Sequence, residues 1–168
     1  PCDLGTPLEE TLGTLVALRN EGKIREFGLC NYDEESLRIA RRLAPVAVLQ
    51  TPYSMVRREF EQGLRSCAAE DGRAGGHAGP VGVVAYEPLA RGMLTGKFVS
   101  SVPAFPDTDL RARDDRFKGQ RLAKLRAFSA VIAAAAAKVK VPPAALAVAW
   151  VGSRTGVTAV IAGAKRPQ

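Results

Sequence analysis

One pattern constrains this chain more than any other: a short apolar run ending in polar or glycine residues, then a stretch at helical spacing, then the same unit again. Residues 24–30 form the first run and end at Asn31 and Tyr32, after which residues 33–43 take up a helical period with Asp33 as its cap. Residues 46–49 close on Gln50, Thr51 and Pro52, and a charged helical stretch follows over residues 57–70. A third run, residues 81–86, leads to Pro88 and a glycine-containing loop, and a fourth, residues 157–161, closes on Gly163, Ala164 and Lys165. Strands separated by helices predict a parallel α/β sheet with right-handed crossovers. Because each run is apolar almost throughout instead of alternating, the strands are expected to be covered on both faces.

Further helices frame these units. Thr6 as N-cap, Pro7 in the first turn and Glu9 and Glu10 behind them open a helix whose Leu8, Leu12, Leu15, Val16 and Leu18 recur at helical spacing, and Gly22 stops it. Residues 120–139 are helical by propensity, and Pro142 and Pro143 open another helix through Val151. Two segments stand apart. Residues 72–80 are glycine-rich and read as a flexible insertion, whereas residues 98–118 are rich in Pro, Asp and Arg, lack periodicity, and suit either a binding loop or a solvated insertion.

With 46% of its 168 residues apolar, the whole chain, residues 1–168, reads as one compact domain with a real core. The net charge of +7 favours anionic partners, but 24 Lys and Arg are interspersed with 17 Asp and Glu, and no aromatic-interleaved basic stripe argues for nucleic acid. A phosphorylated cofactor is a sufficient anion, and so is an ordinary solvated basic surface a sufficient explanation. Cys2, Cys30 and Cys67 are odd in number and widely spaced, which points away from a disulfide framework or zinc site and towards reduced thiols in a cytoplasmic compartment. The alanine-rich run at residues 131–137 is too short to cross a bilayer, so no membrane association is expected. Pro1 enters a helix-start signal directly, and the chain reads as a piece of a longer polypeptide.

In parallel α/β folds ligands meet the C-terminal ends of the strands and the loops behind them. There the sequence places Cys30 and Asn31, Gln50 and Tyr53, residues 86–97, and residues 163–166. Side-chain amides at Asn31 and Gln50 can bond a carboxamide as donor and acceptor at once, although amides at such places also serve turns and caps. Tyr86 can stack on a flat ring or simply join the core. Gly92 and Gly96 with Lys97 would let a phosphate approach backbone N–H groups beside a cation, and Lys165 with Arg166 could hold another; alone, each cluster reads equally as solvated surface. No P-loop is present and no Gly-x-Gly-x-x-Gly follows a strand, which removes the main support for a Rossmann or ATP site. His77, the only histidine, lies in the glycine-rich insertion. Without a second histidine, His-based metal sites and Ser or Cys triads are excluded, and no metal or catalytic residue is assigned.

Five separated stretches then carry a resemblance along essentially the full chain outside the insertion: TPLEETLGTLVALRNEGKIREFGLCNY from Thr6, QTPYSMVRREFE from Gln50, AYEPLARGMLTGK from Ala85, DLRARDDRF from Asp109 and VTAVIAGAKRPQ from Val157. In this order and spacing they resemble the aldo/keto reductase family, nearest to the branch with plant auxin-induced-type reductases and potassium-channel β-subunits. The resemblance implies a (β/α)₈ barrel binding NADPH without a Rossmann domain, of which this chain would hold the last four strands. It implies further that Asn31 and Gln50 hold the nicotinamide carboxamide, with Cys30 where a serine is usual, and that Tyr86 lies beside the nicotinamide. By the same resemblance Pro88, Leu89, Ala90, Gly92, Leu94 and Lys97 wrap the pyrophosphate, with Glu87 departing from a usual serine. Gly163, Lys165 and the adjacent Arg166 match the segment near the adenosine 2′-phosphate, which favours NADPH over NADH.

Family members reduce aldehydes or ketones with a tyrosine acid assisted by Lys, Asp and His on the first four strands, and none of those positions lies in this sequence. Tyr32, Tyr53 and His77 are not expected to replace them. The resemblance therefore implies a carbonyl-reducing parent whose cofactor-binding half is this chain; the alternatives are a non-catalytic NADPH-sensing regulatory subunit and an inactive fragment. Four parallel strands with both edges unpaired invite self-association through those edges. Weak or absent NADPH binding by the isolated chain is expected as well.

Overall fold

The computed structural model describes residues 5–71 and 79–163. Its elements follow one another as α1 (Leu8–Asn20), β1 (Gly28–Cys30), α2 (Glu34–Leu43), β2 (Val48–Pro52), α3 (Leu64–Ala69), β3 (Gly82–Tyr86), α4 (Gly119–Lys138), α5 (Pro143–Gly152) and β4 (Ala159–Ile161), with short 3₁₀ turns between. The four strands lie in chain order, each parallel to the next. Cys30 pairs with Gln50, Gln50 with Val84, and Tyr86 with both Pro52 and Ile161. All C-terminal strand ends therefore lie at one end of the sheet.

Where these elements begin and end follows from local chemistry. Asp33 caps α2 as expected, its carboxylate accepting from the Ser36 N–H at 2.8 Å, and that bond holds its pKa below the ordinary carboxylate value. Thr6 does not cap α1, which starts after Pro7 with no side-chain cap bond. Residues 24–27 are not strand, because the Lys23 and Ile24 N–H groups both turn back to the Leu18 carbonyl and belong to the exit of α1. The helix expected over residues 57–70 is broken: Phe60 is buried in a 3₁₀ turn, and Gly63 at φ 88° interrupts the chain before α3. That left-handed backbone is one that glycine takes at little steric cost.

The expectation of strands covered on both faces is corrected. In β2 and β3, Leu49, Thr51, Val83 and Ala85 are buried, while Val48, Gln50, Pro52, Val84 and Tyr86 between them are only half-buried. Apolar residues stand on both parities, but only one parity meets the helices. That covered face forms the main core with Leu12, Leu37, Phe60, Leu64 and Val151. A second core gathers Met93, Leu94, Phe98, Phe117 and Ala147 beneath the loop after β3. Residues 98–118 are accordingly not a solvated insertion: Phe98, Phe105 and Phe117 stack edge to face at 5.3–6.0 Å. Among the described residues no single helix is long and apolar enough to cross a membrane.

Candidate functional site

Asn31 follows β1 directly and takes a left-handed backbone at φ 61°, a conformation its short polar side chain tolerates better than most. Its N–H donates to the Gln50 carbonyl at 2.9 Å. From the end of β3 the Tyr86 hydroxyl reaches across β2 and donates to Asn31 Oδ1 at 2.8 Å. Asn31 and Tyr86 both line a cavity of about 490 Å³ that Asp33, Glu34, Arg57 and Glu59 rim with charge. Cys30 and Gln50 are strand partners on the open face of the sheet, half-buried. The structure thus brings Asn31 and Tyr86 to one corner beside the Gln50 backbone, while the Gln50 side chain is not among the groups that line the cavity.

The loop after β3 is built differently. Pro88, Ala90 and Leu94 bury their side chains, and Leu89 packs against the second core. The Ala90, Gly92 and Leu94 N–H groups close turns onto Glu87 and Leu89 carbonyls. Glu87, Ala90 and Arg91 all stand at positive φ, between 47° and 56°, and Gly92 and Gly96 follow at 92° and 83°. Such conformations are costly for residues with a Cβ and persist only where surrounding contacts hold them. Lys97 folds back over this turn, its Nζ 4.7 Å from the Phe98 ring centre. A Cβ at Gly92 would lie 2.9 Å from Lys97 Cε, so glycine gives the lysine room as well as the turn.

An ion-pair network clamps that turn, and sequence reasoning alone misses it. Glu87 meets Arg91 at 2.9 Å, Arg116 at 3.3 Å and Arg57 at 3.7 Å, while Asp114 meets Arg116 at 2.7 Å and Arg91 at 3.2 Å. Burial pushes the Asp114 carboxyl up, but the bonds and charge of Arg116 and the charge of Arg91 outweigh it and hold its pKa below the ordinary value. A signal is present locally: Asp109 and Asp114 each stand two residues before an arginine whose backbone N–H and guanidinium both bond back to the carboxylate. Glu87 is the anion on which three arginines converge.

Tyr53 lies in the main core, not among these groups. Its hydroxyl donates to Glu61 at 2.5 Å, and burial together with that carboxylate pushes its pKa up to about 12. Gly163 follows β4. Lys165, Arg166, His77 and Cys2 lie outside the described residues.

A model of the aldo/keto reductase family matches residues 2–168. This chain belongs to the aldo/keto reductase family. It is 30% identical, over 96% of its length, to the aldo-keto reductase YhdN of Bacillus subtilis, and 29% identical, again over 96%, to the aldo-keto reductase yakc of Schizosaccharomyces pombe, whose name carries NADP(+). In three dimensions it is similar to a glycerol dehydrogenase of Gluconobacter oxydans, with a TM-score of 0.81 and 33% identity over 95% of the chain. It spans 46% of the length of each of these proteins. The four parallel strands and their helices are the C-terminal half of an aldo/keto reductase (β/α)₈ barrel.

Proposed function

We propose that this chain is the cofactor-holding part of an NADPH-dependent oxidoreductase that acts on small carbonyl compounds, aldehydes or ketones. The observation that carries this reading is the hydrogen bond that joins Asn31 and Tyr86, with the Gln50 backbone between them, at the C-terminal end of a parallel sheet. Family membership supports it, as do a relative named for NADP(+) and a structural neighbour named for glycerol oxidation.

The donor set fits the cofactor. Asn31 and Gln50 supply amides for a carboxamide, Tyr86 a flat face beside its ring, and the positive-φ turn at residues 87–92 with Lys97 a cationic seat for the pyrophosphate. Gly163 and, by the family resemblance of the sequence alone, Lys165 and Arg166 are assigned to an adenosine 2′-phosphate. When bound, NADPH supplies a hydride to the carbonyl carbon. This chain's residues bind and orient, whereas the proton donor belongs to the remainder of the barrel. Tyr53 is unsuited to donating that proton, because a general acid needs a pKa near the working pH, whereas its own is raised and its hydroxyl is spent on Glu61. The free thiols Cys30 and Cys67 suit a reducing, cytoplasmic setting. Unpaired sheet edges offer a surface for self-association.

Nuclear magnetic resonance of the chain titrated with millimolar NADPH tests the proposal. Saturable shifts at Asn31, Gln50, Tyr86 and Lys97, weaker than micromolar in affinity and smaller with NADH, are expected. Absent binding at micromolar NADPH agrees with the expectation for half a barrel, whereas shifts confined to other residues, or none even at millimolar NADPH, overturn the proposal.

A further inference from the structure

The hydroxyl of Tyr86 does something its ring does not. Asn31 is pinned through its backbone, by a left-handed φ and the bond to the Gln50 carbonyl, but that leaves the side-chain amide free to present either edge, since the terminal torsion of asparagine is broad. Tyr86 is itself fixed, because its Cα pairs with strands on both sides and its carbonyl accepts from the Tyr53 N–H at 3.0 Å. From that base its phenol donates to Asn31 Oδ1 at 2.8 Å, across a sequence separation of 55 residues.

We infer that Tyr86 is a positioning residue for Asn31: its hydroxyl occupies the amide oxygen and leaves the Nδ2 hydrogens as the edge that meets a ligand. An amide held this way selects a hydrogen-bond acceptor, and on the cofactor reading, on which this inference rests, that acceptor is the carboxamide oxygen of the nicotinamide. The phenol proton is committed to Asn31, which sets Tyr86 apart from an acid that would protonate substrate. A phenylalanine at this position would keep the flat ring and lose the orientation.

The experiment compares the wild-type chain with Tyr86→Phe, Asn31→Ala and the double variant by side-chain amide resonance. Without ligand, Tyr86→Phe is expected to move the Asn31 Nδ2 signals and leave the Gln50 signals in place; unmoved Asn31 signals overturn the inference whether or not the cofactor binds. With NADPH, losing one orienting hydrogen bond should weaken binding about five-fold, with no further loss from Tyr86→Phe once Asn31 is alanine. Binding of 2′-phospho-ADP-ribose, which lacks the nicotinamide, should be unchanged by Tyr86→Phe; an equal loss there marks a merely structural role and overturns the inference. If NADPH perturbs none of the four proteins, the cofactor reading fails and the ligand-free spectra still decide the role of Tyr86.

Discussion

The two faces of this sheet are made of similar residues and live in different surroundings. On one, Leu49, Val83 and Ala85 are at most 1% exposed beneath the helices. On the other, Val84 is half-buried and Ile161 is 49% exposed, although both are as apolar as their neighbours. The helices that cover the first face come from within this chain, so its stability is internal. The second face carries Gln50 and the base of Tyr86, and nothing among the described residues closes over it. Stability therefore rests on the covered side, whereas the candidate residues stand at the strand tips, where Asn31 and Tyr86 meet at the edge of that core.

Truncation on each face tests that division most strongly. Leu49→Ala should cost roughly 2–5 kcal/mol in urea unfolding, because a packed core leaves a cavity where the side chain was. Val84→Ala, beside it on the open face, should cost under about 1 kcal/mol, since less surface is withdrawn from water. Equal costs would erase the distinction between the faces.

The open face is not tolerant everywhere, and glycine marks where. A Cβ at Gly28 would sit 2.5 Å from the Val48 carbonyl oxygen, which is strand backbone and cannot swing aside. Gly28→Ala should cost roughly 1–3 kcal/mol through forced separation of β1 from β2. At Gly82 the nearest atom would be 3.5 Å away, an ordinary contact, and alanine there should be close to neutral by the same measurement.

The covered face was the more legible of the two in the sequence. Strand-helix alternation reported the parallel sheet, and Asp33 reported the start of α2, because both signals are local. The strand tips were legible too: Asn31, Gln50 and Tyr86 each end an apolar run, and the structure gathers Asn31 and Tyr86 into one hydrogen bond. Burial on one face only was not legible, since apolar residues of both parities look alike until helices choose a side. Nor was the clamp on Glu87, whose partners Arg57 and Arg116 lie about thirty residues away on either side and meet it only after β2 and the loop before α4 are placed. The break at Gly63 is hidden in the sequence because glycine lowers helical propensity without forbidding a helix.

The covered side also predicts a pH dependence. Tyr53 titrates at about 12 in the fold against 10 ordinarily, so its contribution is whole below pH 10 and disappears as pH rises toward 12, where the unfolded chain alone is ionised. Its partner Glu61, lowered to about 2 from 4.5 by Arg58 and Tyr53, acts in the opposite sense: its contribution is present above pH 4.5 and is lost as pH falls toward 2. Tyr53→Phe should flatten the alkaline limb of the stability profile and cost about 1–2 kcal/mol at neutral pH. If the tyrosinate absorbance step that Tyr53→Phe removes falls near pH 10 and not near 12, the burial of Tyr53 is contradicted.

The smallest effect concerns the open side alone. Strands β1 and β4 are three residues long, and each has an edge that no described strand pairs. Short edges limit the backbone bonds a second copy can make, so any association must draw mainly on the apolar face, of which Ile161 is the most exposed large residue. Its burial in a self-associated form is worth about five-fold in the association constant, and a charge there removes that gain and adds repulsion to an already basic chain. Ile161→Lys should therefore weaken self-association in sedimentation velocity while leaving the urea midpoint almost unmoved, because the covered face is untouched. If Ile161→Lys unfolds the chain instead, the open face contributes to internal stability and the two sides are not separable.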